Sequence, residues 1–153
     1  MADENSEARG YERSAEPAPD VRALDRLVGE WRVTGDYVRG PSTYEWMEGG
    51  YFLLQRYDFE TPDGRRVAGV EVIGHERPFG GEPSEHVKSR AYYNTGDTLD
   101  YVYELEGDTL TIWGGEKGSP AYFRGTFDVD GDTLTGRWKW PGGGYKAISR
   151  RIG

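Results

Sequence analysis

From residue 30 to the end of the chain, apolar and polar side chains alternate with a period of two, and turn residues recur every eight to twelve positions. This is the rhythm of short antiparallel strands. Ten strands are expected, over about 30–38, 42–48, 51–60, 66–76, 87–94, 98–105, 109–113, 121–129, 133–140 and 145–152. Arg39-Gly40-Pro41, Pro62-Asp63-Gly64, Asn94-Thr95-Gly96-Asp97 and Asp130-Gly131-Asp132 are among the expected turns. Most connections are of hairpin length, so neighbours in sequence should be neighbours in the sheet.

The pattern before residue 30 is different. Val21, Leu24, Leu27 and Val28 share one helical face, and Asp20 after Pro19 is placed to act as an N-cap. A helix of about two turns is too short to stand alone, so it should lie across one end of the sheet and close it. Residues 1–19 are rich in charge, Ala, Ser and Pro, and Tyr11 is their one large apolar side chain. We expect a disordered acidic tail there, followed by one domain over 20–153.

Ten short strands leave two exposed edges unless the sheet closes. The expected fold is therefore all-β, a single antiparallel up-and-down barrel with a short N-terminal helix across one end. Composition agrees, since 14% aromatic residues with 23 glycines and 8 prolines suit many short strands and tight turns. The tetrapeptide Gly-Asp-Thr-Leu occurs at 96–99, 107–110 and 131–134, each time entering a strand. Its unequal intervals point to shared turn chemistry, not to a repeat architecture.

A formal net charge of -8 disfavours nucleic acid or an anionic membrane as partner. The chain has no cysteine, which excludes disulfides, thiolate catalysis and Cys-ligated metals. No apolar run reaches the length of a membrane span, and the acidic start lacks the features of a signal peptide, so a cytoplasmic protein is expected. No cofactor is expected either. The run Asp128-Val129-Asp130-Gly131-Asp132 departs from a calcium loop, with its glycine in the fourth position and Lys139 where the closing glutamate belongs. His75, Glu76, Glu82, Glu85 and His86 match no metal motif with a mechanism.

Gly29-Glu30-Trp31 at the start of the first strand resembles the Gly-x-Trp motif of the calycins, the group of lipocalins, fatty-acid-binding proteins and nitrobindin-like barrels. Glu45-Trp46-Met47-Glu48-Gly49-Gly50-Tyr51-Phe52-Leu53, Val72-Ile73-Gly74, Asp100-Tyr101-Val102-Tyr103 and Gly114-Gly115-Glu116-Lys117-Gly118-Ser119-Pro120 extend the resemblance. Together they are similar to a bacterial family of calycin-like barrels of unknown function, well represented in actinobacteria. The resemblance implies that Trp31 packs at the closed end against an arginine of the last strand, Arg151 or alternatively Arg150. Nitrobindin-like relatives carry haem on a histidine near the chain end, where this sequence has Ile148, Ser149, Arg150 and Arg151. This departure from the relatives' pattern counts against haem here.

If the first strand leaves the closed end at Trp31, the loops 39–42, 62–65, 94–97, 114–120 and 141–144 ring the open mouth. Tyr44, Trp46, Tyr57, Tyr101, Tyr103, Trp113, Tyr122, Arg124, Trp138 and Trp140 are the candidate ligand-binding residues. Trp138 and Trp140 share a face with Leu134 and Gly136, and Tyr101 and Tyr103 share one with Leu99 and Leu105, so these rings should point inward. Strands seven and eight give contradictory parity. If Trp113, Tyr122 and Arg124 face inward, Ile112 and Phe123 do not.

Strand four offers two faces. Apolar packing favours Ala68, Val70, Val72 and Gly74 inside, with Glu71 and His75 outside. The opposite choice buries Glu71 as a carboxyl suited to acid or base work, with His75 to relay its proton. Three functions remain open on these residues. The first is binding of a small apolar or aromatic molecule in the barrel. The second is a cofactor-independent isomerase, cyclase or lyase using Glu71, His75 and Tyr103. The third is a ligand-free barrel acting through its surface, with a homodimer as its natural partnership.

Overall fold

The structure is a computed structural model that describes residues 16–153. The disordered tail expected over 1–19 lies, up to residue 15, outside them. Among the described residues, ten strands follow one short helical segment. The helix α1 (Pro19–Arg22) runs directly into a 3-10 turn over Ala23–Leu27. Asp20 is not its cap. Pro19 takes the first helical position, where its missing N–H costs nothing, and Ala18 precedes it without a side-chain cap. Val21, Leu24 and Leu27 are buried as the spacing requires.

The strands are β1 (Gly29–Gly35), β2 (Arg39–Trp46), β3 (Leu53–Glu60), β4 (Arg66–Gly74) and β5 (Val87–Tyr93), then β6 (Thr98–Glu106), β7 (Thr109–Gly114), β8 (Tyr122–Phe127), β9 (Thr133–Trp140) and β10 (Gly143–Arg151). Each pairs antiparallel with its sequence neighbours, and β1 closes the barrel by pairing with β10, Trp31 opposite Arg151 and Val33 opposite Ser149. No edge strand is left for another chain to extend. No described helix is long and apolar enough to cross a membrane.

One expected turn is displaced. Arg39, Gly40 and Pro41 belong to β2, and the chain reverses over residues 36–38 instead. Gly40 and Pro41 pair with β1 but have no partner in the β3 ladder, where Arg39 opposes Glu60 and Ser42 opposes Tyr57. Proline cannot donate to a ladder, and Gly40 lets the Asp58 carbonyl approach to 2.3 Å of where a Cβ would stand. Residues that signal a turn elsewhere here relax one stretch of sheet.

The interior has two levels. At the end where β1 begins, Val21, Leu24 and Leu27 pack on Trp31, Leu53, Ile73, Val87, Leu110 and Phe127 as one continuous core. The Trp31 ring lies under the Arg151 guanidinium, 4.2 Å from its centroid, and its indole N–H donates to the Leu27 carbonyl at 2.8 Å. Arg151 in turn donates to the carbonyls of Val28, Arg26 and Gly131 and pairs with Asp132. Gly29 is fixed by this arrangement, because its φ is +131° and a Cβ there would stand 2.5 Å from Arg151 Nη1.

His75 is also part of the closed end. Its Nδ1 lies 2.7 Å from the Ser84 carbonyl and its Nε2 2.8 Å from Asp20 Oδ1. The ring ties α1 to the β4–β5 loop, and both its nitrogens are spent on structure. Asp20→Ala is expected to lower stability by about 0.5–1 kcal/mol, since the carboxylate is half exposed. A double-mutant cycle with His75→Ala checks it: the two losses should be less than additive, whereas simple additivity would mean that the pair contributes nothing.

Candidate ligand-binding site

Above the packed core the barrel is hollow. A cavity of about 370 Å³ opens toward the end opposite α1. Strand parity assigns its walls. In β9, Leu134 and Gly136 lie below Trp138 and Trp140 on one face, and both tryptophans line the cavity, Trp140 at the exposed rim. Gly125 and Gly136 oppose one another on β8 and β9, and the Phe123 ring lies against the space where their side chains would be. The Phe123 ring reaches Trp138 at 5.4 Å between centroids, and Trp138 reaches Tyr101 at 5.9 Å. Across the mouth Tyr57 stacks on Phe59 at 5.6 Å and meets Tyr93 at 5.5 Å.

The floor is polar. Glu71 and Gln55 are directly opposed on β4 and β3, both buried and both facing inward. Glu71 Oε2 accepts hydrogen bonds from Ser89 Oγ at 2.5 Å and from the Tyr103 hydroxyl at 2.8 Å. Gln55 donates its amide N–H to Ser42 Oγ at 2.8 Å. Burial raises the Glu71 pKa, and the bonds from Ser89 and Tyr103 offset only part of that rise. Tyr44, Tyr101 and Tyr103 are held as neutral phenols first by burial and then by the negative charge of neighbours that include Glu71.

Of the ten candidate ligand-binding residues, Tyr44, Tyr57, Tyr101, Tyr103, Trp138 and Trp140 line this cavity. The other four do not. Trp46 donates its indole N–H to Asp25 Oδ1 at 2.8 Å and packs against the closed-end core. Trp113, Tyr122 and Arg124 are on the outer surface, where the guanidinium lies 5.5 Å from the Trp113 ring and 4.9 Å from the Tyr122 ring. Ile112 and Phe123 take the interior, because Phe123 has the glycine pair to lie on.

In strand four the structure reverses the arrangement that apolar packing favoured. Ile73 enters the closed-end core with Leu53, and the same parity turns Glu71 inward. Ser89 and Tyr103 make that burial tolerable, and neither is near Glu71 in sequence. His75 shares the parity but sits a turn of the pleat beyond Ile73, bound to Asp20 and Ser84, so it cannot relay a proton for Glu71. Tyr93 also lines the cavity although it is not among the ten candidates, and its neighbour Tyr92 does not. Tyr92 is exposed, whereas Tyr93 lies on the face of the buried Ser89 and Ala91 and lines the cavity.

The five residues His75, Glu76, Glu82, Glu85 and His86 do not gather three metal ligands among the described residues. No family model and no curated protein matches this chain. Among solved structures it is similar to Rv2717c from M. tuberculosis, with 16% identity, a TM-score of 0.53, and coverage of 90% of this chain and 100% of that one. A designed fluorescence-activating β-barrel also aligns, at 15% identity and a TM-score of 0.47, over 85% of this chain and 97% of the design. At these identities the likeness is one of fold.

Proposed function

We propose that this protein is a calycin-like barrel that binds a small apolar or aromatic molecule in its open-end cavity. The observation that carries this reading is the cavity itself. Its 370 Å³ falls in the range of ligand pockets, roughly 300–1,000 Å³, and its walls are aromatic and aliphatic with a few convergent polar groups at the floor. Such walls favour a flat molecule, which ring faces and edges contact over a large area at little entropic cost.

The neutral naphthalene dye prodan tests the reading. Its emission should shift to the blue on entering the cavity with a one-to-one stoichiometry, excited in part through Trp138 and Trp140. Val67 lines the cavity near the mouth, and Val67→Trp should plug it. Loss of the shift in that variant supports a cavity ligand. An unshifted emission, or a shift that Val67→Trp leaves intact, overturns the proposal.

A second reading rests on one contact. Glu71 and Tyr103 form a buried acid-base pair, 2.8 Å apart, at the floor of the cavity. A cofactor-independent isomerase, cyclase or lyase could use that pair without His75. It predicts that Glu71→Gln keeps ligand affinity while turnover disappears.

A further inference from the structure

We infer that the molecule held in this cavity carries a basic nitrogen, and that its ammonium N–H groups are received by the Glu71 carboxylate and the Gln55 carbonyl beneath the aromatic walls. The inference rests on the cavity-binding proposal and names the chemical class of its ligand. It starts from the hydrogen-bond inventory of the floor. Both donors that reach Glu71 converge on Oε2, from Ser89 and Tyr103. Oε1 accepts nothing from the described residues, yet among those residues no buried side-chain oxygen or nitrogen is left without a partner. Oε1 therefore looks into the cavity that Glu71 lines.

Gln55 has the same bias. Gln55 gives its N–H to Ser42 and keeps its carbonyl oxygen. The Tyr57 hydroxyl donates to the Tyr92 carbonyl at 3.4 Å, and the hydroxyls of Tyr93 and Tyr101 face one another at 3.5 Å. At the floor the donors of Gln55, Ser89 and Tyr103 are spent within the wall, and oxygens of Glu71 and Gln55 are left over. Because Gln55 and Glu71 are cross-strand partners on one face, their side chains leave the sheet about 5 Å apart. An ammonium group has several N–H donors and no acceptor, so it can serve both oxygens at once.

Charge points the same way. No Lys, Arg or His lines the cavity among the described residues, so Glu71 is a buried acid without a counter-charge. A lone buried carboxylate is costly, and a cationic ligand would supply the missing charge together with its hydrogen bonds. The rings of Tyr57, Tyr93, Tyr101 and Trp138 line the same space, and an aromatic face attracts a cation but not an anion. The net charge of -8 adds a long-range bias toward cations. An anionic ligand would meet Glu71 with no cation to hold it.

Calorimetric titration with three probes that share one ring system tests the inference: naphthylethylamine, naphthylethanol and naphthylpropionate. At neutral pH the amine should bind roughly ten- to a hundredfold more tightly than the alcohol, as expected for a hydrogen-bonded charge pair, with the acid weakest. Glu71→Gln should bring the ratio of amine to alcohol affinity to about one. Measuring both probes on the same variant separates a lost charge from a damaged fold. Gln55→Leu, which leaves the carboxylate in place, should lower that ratio by roughly threefold or more. An alcohol or acid that binds as well as the amine overturns the inference and leaves the cavity proposal standing. Failure of all three probes to bind overturns both.

Discussion

Replacing Trp31 with alanine is expected to cost about 3–5 kcal/mol of folding stability, the usual range for removing a buried tryptophan, and to lower the melting temperature by roughly 10 °C. Trp31 is only 2% exposed and sits where α1, β1 and β10 meet. Its removal leaves a void beside Phe127, whose ring centroid is 6.4 Å away, and takes the donor from the Leu27 carbonyl. The Arg151 guanidinium also loses the face it covers, while its bonds to Val28, Arg26 and Gly131 remain. Trp31→Phe should recover part of the loss, because it restores a ring under the guanidinium but no N–H. Denaturant unfolding measures both variants. A loss below about 1 kcal/mol for Trp31→Ala would mean that the closed end relaxes without its tryptophan and is not what holds α1 on the barrel.

The second large effect has the opposite sign. Glu71→Gln is expected to stabilise the empty protein at neutral pH. Burial raises the Glu71 pKa above its ordinary value of 4.5, and the bonds from Ser89 and Tyr103 hold the rise back without cancelling it. The folded protein thus binds this proton more tightly than the unfolded chain does. The stability that Glu71 contributes is fully present below its unfolded pKa and is lost as pH rises through the raised folded value. Glutamine keeps an oxygen for the Ser89 and Tyr103 hydroxyls and never ionises.

Wild type and variant should therefore melt together in acid and diverge above pH 4.5, by about 1.4 kcal/mol for each pH unit between the unfolded and folded values. The difference between the two proteins isolates Glu71 from the exposed carboxylates, which both share. A constant gap across the range, or a less stable variant at neutral pH, would mean that Glu71 is ionised at little cost in the folded state. A gap that closes when naphthylethylamine is added would connect this cost to the ligand that offsets it.

These predictions concern residues whose legibility in the sequence was unequal. Trp138 and Trp140 are readable because β9 alternates cleanly with Arg137 and Lys139 on its other face. Tyr101 and Tyr103 are readable for the same reason in β6. In β7 and β8 both faces carry rings or β-branched residues, so parity alone leaves the choice open. Burial decides it for Phe123 through Gly125 and Gly136, which come from two different strands. Trp46 has the composition of a cavity residue but lies at the wrong level of its strand, where Asp25 takes its N–H.

By itself the sequence determined the ten antiparallel strands, their order and the helix that covers one end, since periodicity, turn chemistry and short connections are local properties. Tertiary structure alone decided which face of each ambiguous strand turns inward and at what height each side chain stands. Closing the sheet brings Ser89 and Tyr103 to Glu71, and Asp20 and Ser84 to His75. These partners lie between 9 and 55 residues apart in the chain. Alternation says that two side chains share a face. Whether a carboxyl can be buried on that face depends on donors that only closure supplies.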